Sequence, residues 1–328
     1  MSKNIKYNFL TTDEKERYQK HLTLKEIGYE GQLSLKNSSV LCIGAGGLGS
    51  SVLLYLAAAG IGKIGIVDND YVEKSNLQRQ IIHETNTIGS LKIDSAQERI
   101  KKFNPNSELL TFAERINPKN ALEIIQKFDI ICDCSDNFGT RYLINDACLI
   151  LNKPLVFGSV QGFEGQVSVF NLNKTSPNLR DLLPESPSKN TVPSCAEYGV
   201  VGVSTGLIGI IQVNEIIKII LKKGEVLDGK IMVFDLLNMN TKKLHLKSDQ
   251  VNKQINNLSK FMDYYSDDEC STQTGTINRI NACDFNSLYK IKPNKILLID
   301  VRENEEFSAS AIDGSISLPL SHLNQKPD

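Results

Sequence analysis

Glycines, two cations and two carboxylates stand at spacings that could bind and activate a nucleotide. A glycine-rich stretch follows the apolar run 40–43 and contains Gly44, Gly46, Gly47 and Gly49. Glycine lets the backbone approach phosphate closely, and a helix that begins there offers free N–H groups and a positive dipole. Because apolar residues at helical spacing follow from Leu53 to Ala57, the stretch predicts the strand-turn-helix of a nucleotide-binding α/β domain. The glycine pattern alone does not separate a dinucleotide from ATP.

The residues after the glycines favour ATP over a redox dinucleotide. Asp68 ends the second predicted strand, where an acidic residue binds ribose hydroxyls in dinucleotide folds. Arg79 and Lys92 follow it, and two cations suit a triphosphate because it carries more charge than a pyrophosphate bridge. The alternative for Arg79 and Lys92 is a solvated surface pair, and the alternative for the whole pattern is an NAD enzyme.

Asp136 follows the predicted strand 128–134 and could hold Mg²⁺ against the phosphates. Carboxylate oxygen is a ligand that Mg²⁺ prefers, and the ion needs few protein ligands when phosphates supply others. The alternative role for Asp136 is an N-cap of the helix that follows Asn137.

The elements that position these residues alternate between strand and helix. The sequence predicts strands at 38–43, 64–68, 109–112, 128–134, 154–158 and 165–170. Helices are predicted between them, with the N-terminal residues 11–30 forming a polar arm of helical character. This alternation predicts a Rossmann-like, doubly wound, mainly parallel α/β sheet, in which ligands bind at the carboxyl ends of the strands.

Length and composition indicate a globular protein of about two domains. The 328 residues are 41% hydrophobic and 23% charged, and the net charge of −1 gives no reason to expect nucleic acid or an anionic membrane as a partner. The apolar run 200–221 contains Gln212 and Glu215, so we expect a core or dimer-interface helix rather than a membrane span. The seven cysteines form no CxxC pair, which is typical of a reducing compartment.

These motifs together resemble the molybdopterin-synthase adenylyltransferases, relatives of the thiamine-pathway adenylyltransferases and the ubiquitin-activating enzymes. The resemblance covers residues 13–246 and rests on the glycine-rich stretch, the strings 68–80, 89–92 and 133–137, and Pro193–Glu197. It implies an enzyme that uses ATP and Mg²⁺ to adenylylate the C-terminal glycine of a small ubiquitin-like sulfur-carrier protein ending in Gly-Gly. The carboxylate would attack the α-phosphate and release pyrophosphate. It also implies a homodimer.

The resemblance assigns roles to matching residues of this chain. It implies that Gly47 lets the backbone approach the nucleotide and that Asp68 binds ribose. It implies that Arg79 and Lys92 neutralise phosphates and that Asp136 holds magnesium. Asn76 and Gln80 would shape the phosphate region. Lys20 matches an arginine of the family that reaches the ATP of the partner subunit, and lysine keeps the charge without the bidentate fork.

Cys195 matches a cysteine that forms a thioester or persulfide with the carrier in some relatives. A direct role would require a thiol with a lowered pKa, which the sequence does not reveal. We expect Cys195→Ala to leave adenylation nearly unchanged.

The sequence departs from many family members at their structural zinc site. Residues 177–181 and 247–252 stand where those relatives carry two CxxC pairs, and neither segment contains a cysteine. We therefore predict no zinc. The string 178–185 resembles the zinc-free branch of cyanobacteria and plastids, which agrees with a composition rich in Asn, Ile and Lys. Because the N-terminus shows no signal or transit peptide, we expect the plastid stroma or a bacterial cytoplasm.

The domain organisation predicted from the sequence has three parts. Residues 1–246 are the ATP-binding adenylyltransferase domain, residues 247–283 a polar linker, and residues 284–328 an incomplete second α/β unit. The last part resembles the opening of a rhodanese domain and ends before the loop that carries the persulfide cysteine in such domains. We expect no transfer of sulfur from thiosulfate to cyanide by the 328-residue chain.

Three alternatives to this interpretation stay open. The first is the same chemistry on a carrier of thiamine synthesis or tRNA thiolation, which only the identity of the carrier can separate. The second is an NAD(P)-binding oxidoreductase, for which no Tyr-x-x-x-Lys arrangement supplies support. The third is a non-catalytic module that binds the carrier without activating it, as Lys20 and the incomplete last part of the chain would permit.

Overall fold

A computed structural model describes residues 7–185, 199–266, 285, 288–289, 296–302 and 304–319. The chain divides into two compact units, Met1–Asp267 and Asp268–Asp328. The first unit contains every nucleotide-binding residue predicted above that the structure describes.

The first unit is built on an eight-stranded sheet. Its strands are β1 (Ser39–Ile43), β2 (Lys63–Val67), β3 (Glu108–Phe112), β4 (Ile130–Asp133), β5 (Leu155–Gln161), β6 (Glu164–Phe170), β7 (Lys230–Asp235) and β8 (Asn240–His245). Their order is β3-β2-β1-β4-β5-β6-β7-β8, with parallel pairing from β3 to β5 and antiparallel pairing from β5 to β8. The predicted mainly parallel sheet is confirmed, and its antiparallel edge continues from β6.

Helices cover both faces of this sheet. They are α1 (Thr12–Arg17), α2 (Gln19–Leu22), α3 (Gly28–Lys36), α4 (Gly47–Ala59), α5 (Lys92–Phe103), α6 (Ala121–Ile125), α7 (Phe138–Leu151), α8 (Leu179–Leu182), α9 (Gly202–Leu221) and α10 (Leu258–Ser266). Short 3₁₀ turns occur at Lys74–Asn76, Thr85–Thr87 and Gln250–Lys253.

The alternation of side chains along β1 explains why both faces need helices. Val40 and Cys42 pack into the core beneath α4, α5 and α9, whereas Leu41 and Ile43 pack into the core beneath α6 and α7. A strand that is buried on both faces is mostly apolar, and residues 40–43 of this one are apolar throughout. The doubly wound arrangement is therefore set by the sequence of the central strands.

Most of the apolar run 200–221 forms α9, which begins at Gly202 and packs against α4, β5 and β6. By length and composition alone this helix could cross a membrane. Its polar residues instead have partners inside the unit. Gln212 Nε2 donates to the Asp133 carbonyl at 2.8 Å, and Glu215 Oε2 accepts from the Leu227 N–H at 2.9 Å.

The first part of the predicted linker 247–283 is folded in the structure, in contrast to the prediction. Residues 258–266 form α10, and the side chains of Phe261 and Tyr265 are buried against the core beneath α7. Tyr265 Oη donates to Asp146 Oδ2 at 2.7 Å. The apolar residues of this segment recur at helical spacing, but the polar residues between them make the segment resemble a linker.

In the described part of the second unit, two short parallel strands flank a helix. They are β9 (Ile299–Asp300) and β10 (Ile316–Ser317), with α11 (Asn304–Ala309) between them. Arg302 ties the strand end to the end of the helix, because its Nη2 contacts Asp300 Oδ2 and the Ser310 carbonyl, each at 2.6 Å. This strand-helix-strand agrees with the predicted second α/β unit, and its kinship to rhodanese domains stays a prediction.

Candidate functional site

A cavity of about 410 Å³ opens at the carboxyl ends of β1, β2 and β4. Its lining includes glycines of the loop after β1, acidic residues after β2 and β4, and the two cations predicted from the sequence. The volume is in the range of small-molecule sites, and the position agrees with the rule for open α/β sheets.

The glycine-rich stretch forms the tight turn between β1 and α4. Gly44 has a φ of +102°, and a Cβ on it would lie 2.7 Å from the Cys134 carbonyl oxygen. A Cβ on Gly49 would overlap the Gly44 carbonyl, so this residue packs the helix onto the turn. Helix α4 begins at Gly47 without a side-chain cap, which suits an anion at its N-terminus. Gly44, Gly46 and Gly47 line the cavity, whereas Gly49 is not among the described residues that line it.

Asp68 joins the turn to the loop after β2. Its Oδ2 accepts from the Ala45 N–H and its Oδ1 from the Asp70 N–H, each at 2.8 Å. Burial raises the pKa of Asp68, while the charge of Lys92 and these hydrogen bonds oppose the rise. The carboxylate lines the cavity beside the end of β2, where a ribose is expected.

Arg79 and Lys92 both line the cavity. Lys92 is buried as the first residue of α5, and its Nζ forms an ion pair with Asp70 Oδ2 at 2.8 Å. Arg79 is half-buried, and its Nη1 donates to the Ser75 carbonyl at 3.1 Å. The alternative of a solvated surface pair is wrong for Lys92, because its side chain is buried at the cavity wall.

Asp136 lines the cavity with an exposed carboxylate. The residue that caps α7 is its neighbour Asn137, whose Oδ1 accepts from the Thr140 N–H at 2.9 Å. The alternative role of Asp136 as that N-cap is therefore wrong. Asp136 lines the same cavity as Arg79 and Lys92, and a carboxylate suits a hard cation.

Asn76 and Gln80 are both buried, but only Gln80 lines the cavity. Asn76 Oδ1 accepts from the Glu73 N–H at 3.1 Å and so closes the 3₁₀ turn that precedes Arg79. Gln80 Oε1 is buried without a hydrogen-bond partner in the described part of the chain. Asn76 shapes the backbone of the region, whereas the Gln80 amide borders the cavity itself.

Lys20 and Cys195 also are not brought to this cavity by the described structure. Lys20 lies on α2 with an exposed side chain and is not among the described residues that line the cavity of its own chain. Cys195, with the rest of the string Pro193–Glu197, lies outside the described residues. Their predicted roles therefore stay predictions.

Sequence reasoning missed two further arginines of the cavity wall. Arg141 is buried in α7, donates from Nη2 to the Ser135 carbonyl at 2.9 Å and lies 5.0 Å from the centre of the Phe157 ring. Arg115 is an exposed residue after β3. Both line the cavity. The position of Arg141 one turn after the Asn137 cap could have predicted its direction, since residues there point back toward the helix N-terminus.

Parts of the two segments predicted to stand at the zinc-binding region of relatives lie side by side. Asp181 Oδ1 accepts from the Asp249 N–H at 2.8 Å and from Asn252 Nδ2 at 3.0 Å. Asn178 Nδ2 also donates to the Asn252 carbonyl at 3.3 Å. Hydrogen bonds thus join these segments, and we call this group the 178–252 clasp. That the protein holds no zinc stays a prediction.

Comparison with known proteins places this geometry in a family. Residues 18–255 match the model of the ThiF family. The chain is 41% identical to a probable adenylyltransferase/sulfurtransferase MoeZ of Mycobacterium tuberculosis, over 96% of this chain and 81% of the relative. It is 40% identical to a probable molybdopterin-synthase adenylyltransferase of Porphyra purpurea, with the same coverage.

Solved structures agree on the fold. PaaA superposes with a TM-score of 0.64 at 22% identity, over 76% of this chain and 78% of that one. Escherichia coli MccB with ATP superposes with a TM-score of 0.63 at 21% identity, over 72% of this chain and 73% of that one. The glycine turn, the acidic strand ends and the two cations are thus found in a chain that belongs to the ThiF family.

Proposed function

We propose that this protein is an adenylyltransferase that activates the C-terminal glycine of a small ubiquitin-like sulfur-carrier protein with ATP, as a step of molybdenum cofactor synthesis. One observation carries the proposal. The glycine turn, Asp68, Arg79, Lys92 and Asp136 all line a single cavity at the carboxyl edge of the sheet. The name of the Porphyra purpurea relative, a probable molybdopterin-synthase adenylyltransferase, supports molybdopterin synthesis as the pathway.

The chemistry needs position and charge more than it needs a nucleophile from the protein. A carboxylate oxygen of the carrier's terminal glycine forms a bond to the α-phosphorus of ATP, and the bond from that phosphorus to the bridging oxygen breaks. Pyrophosphate leaves with the electron pair, and an acyl-adenylate remains. Arg79 neutralises charge that grows on the leaving group. Lys92 does the same once its ion pair with Asp70 is replaced by one with phosphate.

The acidic residues of the cavity fit a magnesium ion bound mainly by phosphates. Asp136 offers an exposed carboxylate at the cavity wall, and Mg²⁺ beside nucleotides often takes only one or two protein carboxylates. When bound, the ion would supply further neutralisation of the phosphate oxygens. We assign Asp136 to hold the ion and Asp68 to bind the ribose.

The proposal is tested by exchange of labelled pyrophosphate into ATP with Mg²⁺ and a carrier protein that ends in Gly-Gly. We expect exchange with the intact carrier and none with the same carrier lacking its last glycine. Arg79→Ala and Asp136→Ala should each lower exchange by about 100-fold or more, as expected when a preorganised charge is removed from a transition state.

Arg99→Ala is a matched control, because Arg99 is an exposed arginine that pairs with Glu84 on the surface. It should leave exchange unchanged. Exchange that survives both Arg79→Ala and Asp136→Ala would refute the assigned site. The absence of exchange with any carrier would favour the non-catalytic binding module. Carriers from thiamine synthesis and tRNA thiolation, assayed in parallel, would identify the pathway by the one that supports exchange.

We further propose that the protein acts as a homodimer in which Lys20 reaches the ATP of the partner subunit. Lys20 is exposed on α2, away from the cavity of its own chain. In the isolated chain α9 exposes the apolar side chains of Val203 and Ile210, which supports this helix as part of an interface.

Complementation tests the shared site. Lys20→Ala and Arg79→Ala should each be nearly inactive, but a mixed dimer would hold one site with both residues intact. Random mixing of the two variants should therefore restore about one quarter of the wild-type activity. Mixtures that stay as inactive as the separate variants would place Lys20 outside the partner's site.

A further inference from the structure

His83 is a buried residue that has no part in the chemistry proposed above. It comes three residues after Gln80, and its backbone N–H donates to the Gln80 carbonyl at 3.0 Å. Its imidazole is nearly inaccessible to solvent and is not among the described residues that line the cavity. Both ring nitrogens nevertheless have partners, one in the glycine turn and one in α5.

The two partners determine which ring nitrogen carries the proton. Nε2 lies 3.0 Å from the Ala45 carbonyl oxygen, which can only accept, so Nε2 must donate. Nδ1 lies 2.9 Å from Ser95 Oγ. The single hydroxyl proton of Ser95 can go either to Nδ1 or to Thr87 Oγ1, which lies 3.0 Å away, and with a neutral ring it is donated to Nδ1. Burial lowers the pKa of His83, and the charge of Lys92 adds to this effect, while the hydrogen bond to the Ala45 carbonyl opposes it. The neutral ring with its proton on Nε2 satisfies both contacts.

The contact with Ala45 fixes the peptide that joins Ala45 to Gly46. The N–H of Ala45 is already held by Asp68 Oδ2 at 2.8 Å, so both polar groups of this buried residue are bonded. Because a trans peptide is planar, its N–H points opposite to its C=O. With the Ala45 carbonyl directed at His83, the Gly46 N–H is directed away from it, and Gly46 lines the cavity.

We propose that His83 is a positioning residue for the nucleotide, which orients the Ala45–Gly46 peptide so that the Gly46 N–H can bind a phosphate oxygen. The proposal deepens the proposed function, because it concerns the nucleotide site of that same reaction. Without a donor at this position the buried Ala45 carbonyl is unsatisfied, and the peptide can rotate to find another partner.

Two substitutions separate the contacts of the ring. The amide nitrogen of His83→Gln can reach the position of Nε2 and donate to Ala45, whereas the shorter side chain of His83→Asn reaches only toward Ser95. We expect His83→Gln to keep the dissociation constant of Mg-ATP within about threefold of wild type, and His83→Asn to raise it about tenfold, as loss of one preorganised hydrogen bond predicts.

Ser95→Ala is the matched control, because it removes the partner on the other side of the ring and leaves the contact with Ala45. It should lower the urea midpoint of unfolding but change the dissociation constant of Mg-ATP less than about twofold. Affinity is measured by calorimetry without carrier protein, and stability is measured on the same samples. A purely structural role would make affinity follow stability across the three variants.

The outcomes decide between the two proposals. Wild-type protein that binds Mg-ATP, together with a His83→Asn variant of equal affinity, would overturn the role of His83 alone. Wild-type protein that binds no nucleotide would overturn both proposals. Nitrogen NMR of the wild-type imidazole should show the proton on Nε2, and a proton on Nδ1 of a neutral ring would contradict the contact with Ala45 even if no variant folds.

Discussion

Asp133 ends β4 as a fully buried carboxyl group beneath the cavity. Its Oδ1 accepts from the Ser135 N–H at 2.9 Å and from the Ser135 hydroxyl at 2.6 Å, whereas Oδ2 has no hydrogen-bond partner in the described part of the chain. Burial raises the pKa of Asp133, and the nearby guanidinium of Arg141 only partly opposes this. The folded protein therefore holds this proton more tightly than the unfolded chain does.

A raised pKa in the folded state predicts stability that falls as pH rises. The fall begins near the unfolded value of about 4 and ends above the folded value, because only in that interval does the folded state bind more protons. Asp133→Asn removes this effect. We expect the free energy of unfolding of the variant, relative to wild type, to increase between acidic and neutral pH. Urea unfolding at a series of pH values measures it, and parallel curves for the two proteins would contradict the prediction.

At the scale of elements, the 178–252 clasp joins α8 to the 3₁₀ turn at Gln250–Lys253. Asp181 is its central residue, with hydrogen bonds to Asp249 and Asn252 in addition to those within its own turn. We expect Asp181→Ala to lower the free energy of unfolding by about 2 kcal/mol, the scale for hydrogen bonds to a charged group.

Because hydrogen bonds join the segments of the 178–252 clasp, we expect their stability not to depend on a bound metal. A chelator should leave the unfolding midpoint of wild-type protein unchanged, and the purified protein should contain no zinc. A chelator-induced loss of stability, or stoichiometric zinc, would show that a metal contributes to joining these segments.

The sequence predicts the central elements well and the peripheral ones less well, for physical reasons. β2 and β4 are buried on both faces, and placing Asp68 and Asp136, the polar residues that follow them, needed only the rule that parallel strands end at one edge. Helix α10 was missed because a helix half covered by solvent needs few apolar residues, and Phe261 and Tyr265 stand among polar ones. His83 and Arg141 were missed because contacts between distant parts of the chain have no local pattern.

At the scale of the whole molecule, α10 determines where the first unit ends. Phe261 is fully buried, and Tyr265 binds Asp146, which also pairs with Arg180 at 2.7 Å. A chain ending at residue 267 should unfold cooperatively and bind Mg-ATP as the full chain does. A chain ending at residue 246 should be less stable by at least about 3–5 kcal/mol, the cost of removing one buried aromatic side chain.

Urea unfolding and calorimetry of the two shortened chains check this prediction. Since a domain is stable by only about 5–15 kcal/mol, the chain ending at 246 is expected to lose a large share of its stability and to unfold or aggregate more readily at 37 °C. Equal stability of the two chains would restore the interpretation of residues 247–267 as a linker.

The order of strands in the sheet also determines when, during synthesis on the ribosome, the nucleotide site can form. β1 lies between β2 and β4, and Val40 pairs with Ile130, which is translated much later. The cavity wall that contains Asp136 is translated after Ile130. Thr205 of α9, which also lines the cavity, is translated last. A nascent chain that carries the complete glycine turn therefore has only half a binding crevice. Nucleotide can stabilise this protein only after most of the first unit has been translated. Before that point, any folded part of the nascent chain is stabilised by the packing of β1, β2 and α4 alone.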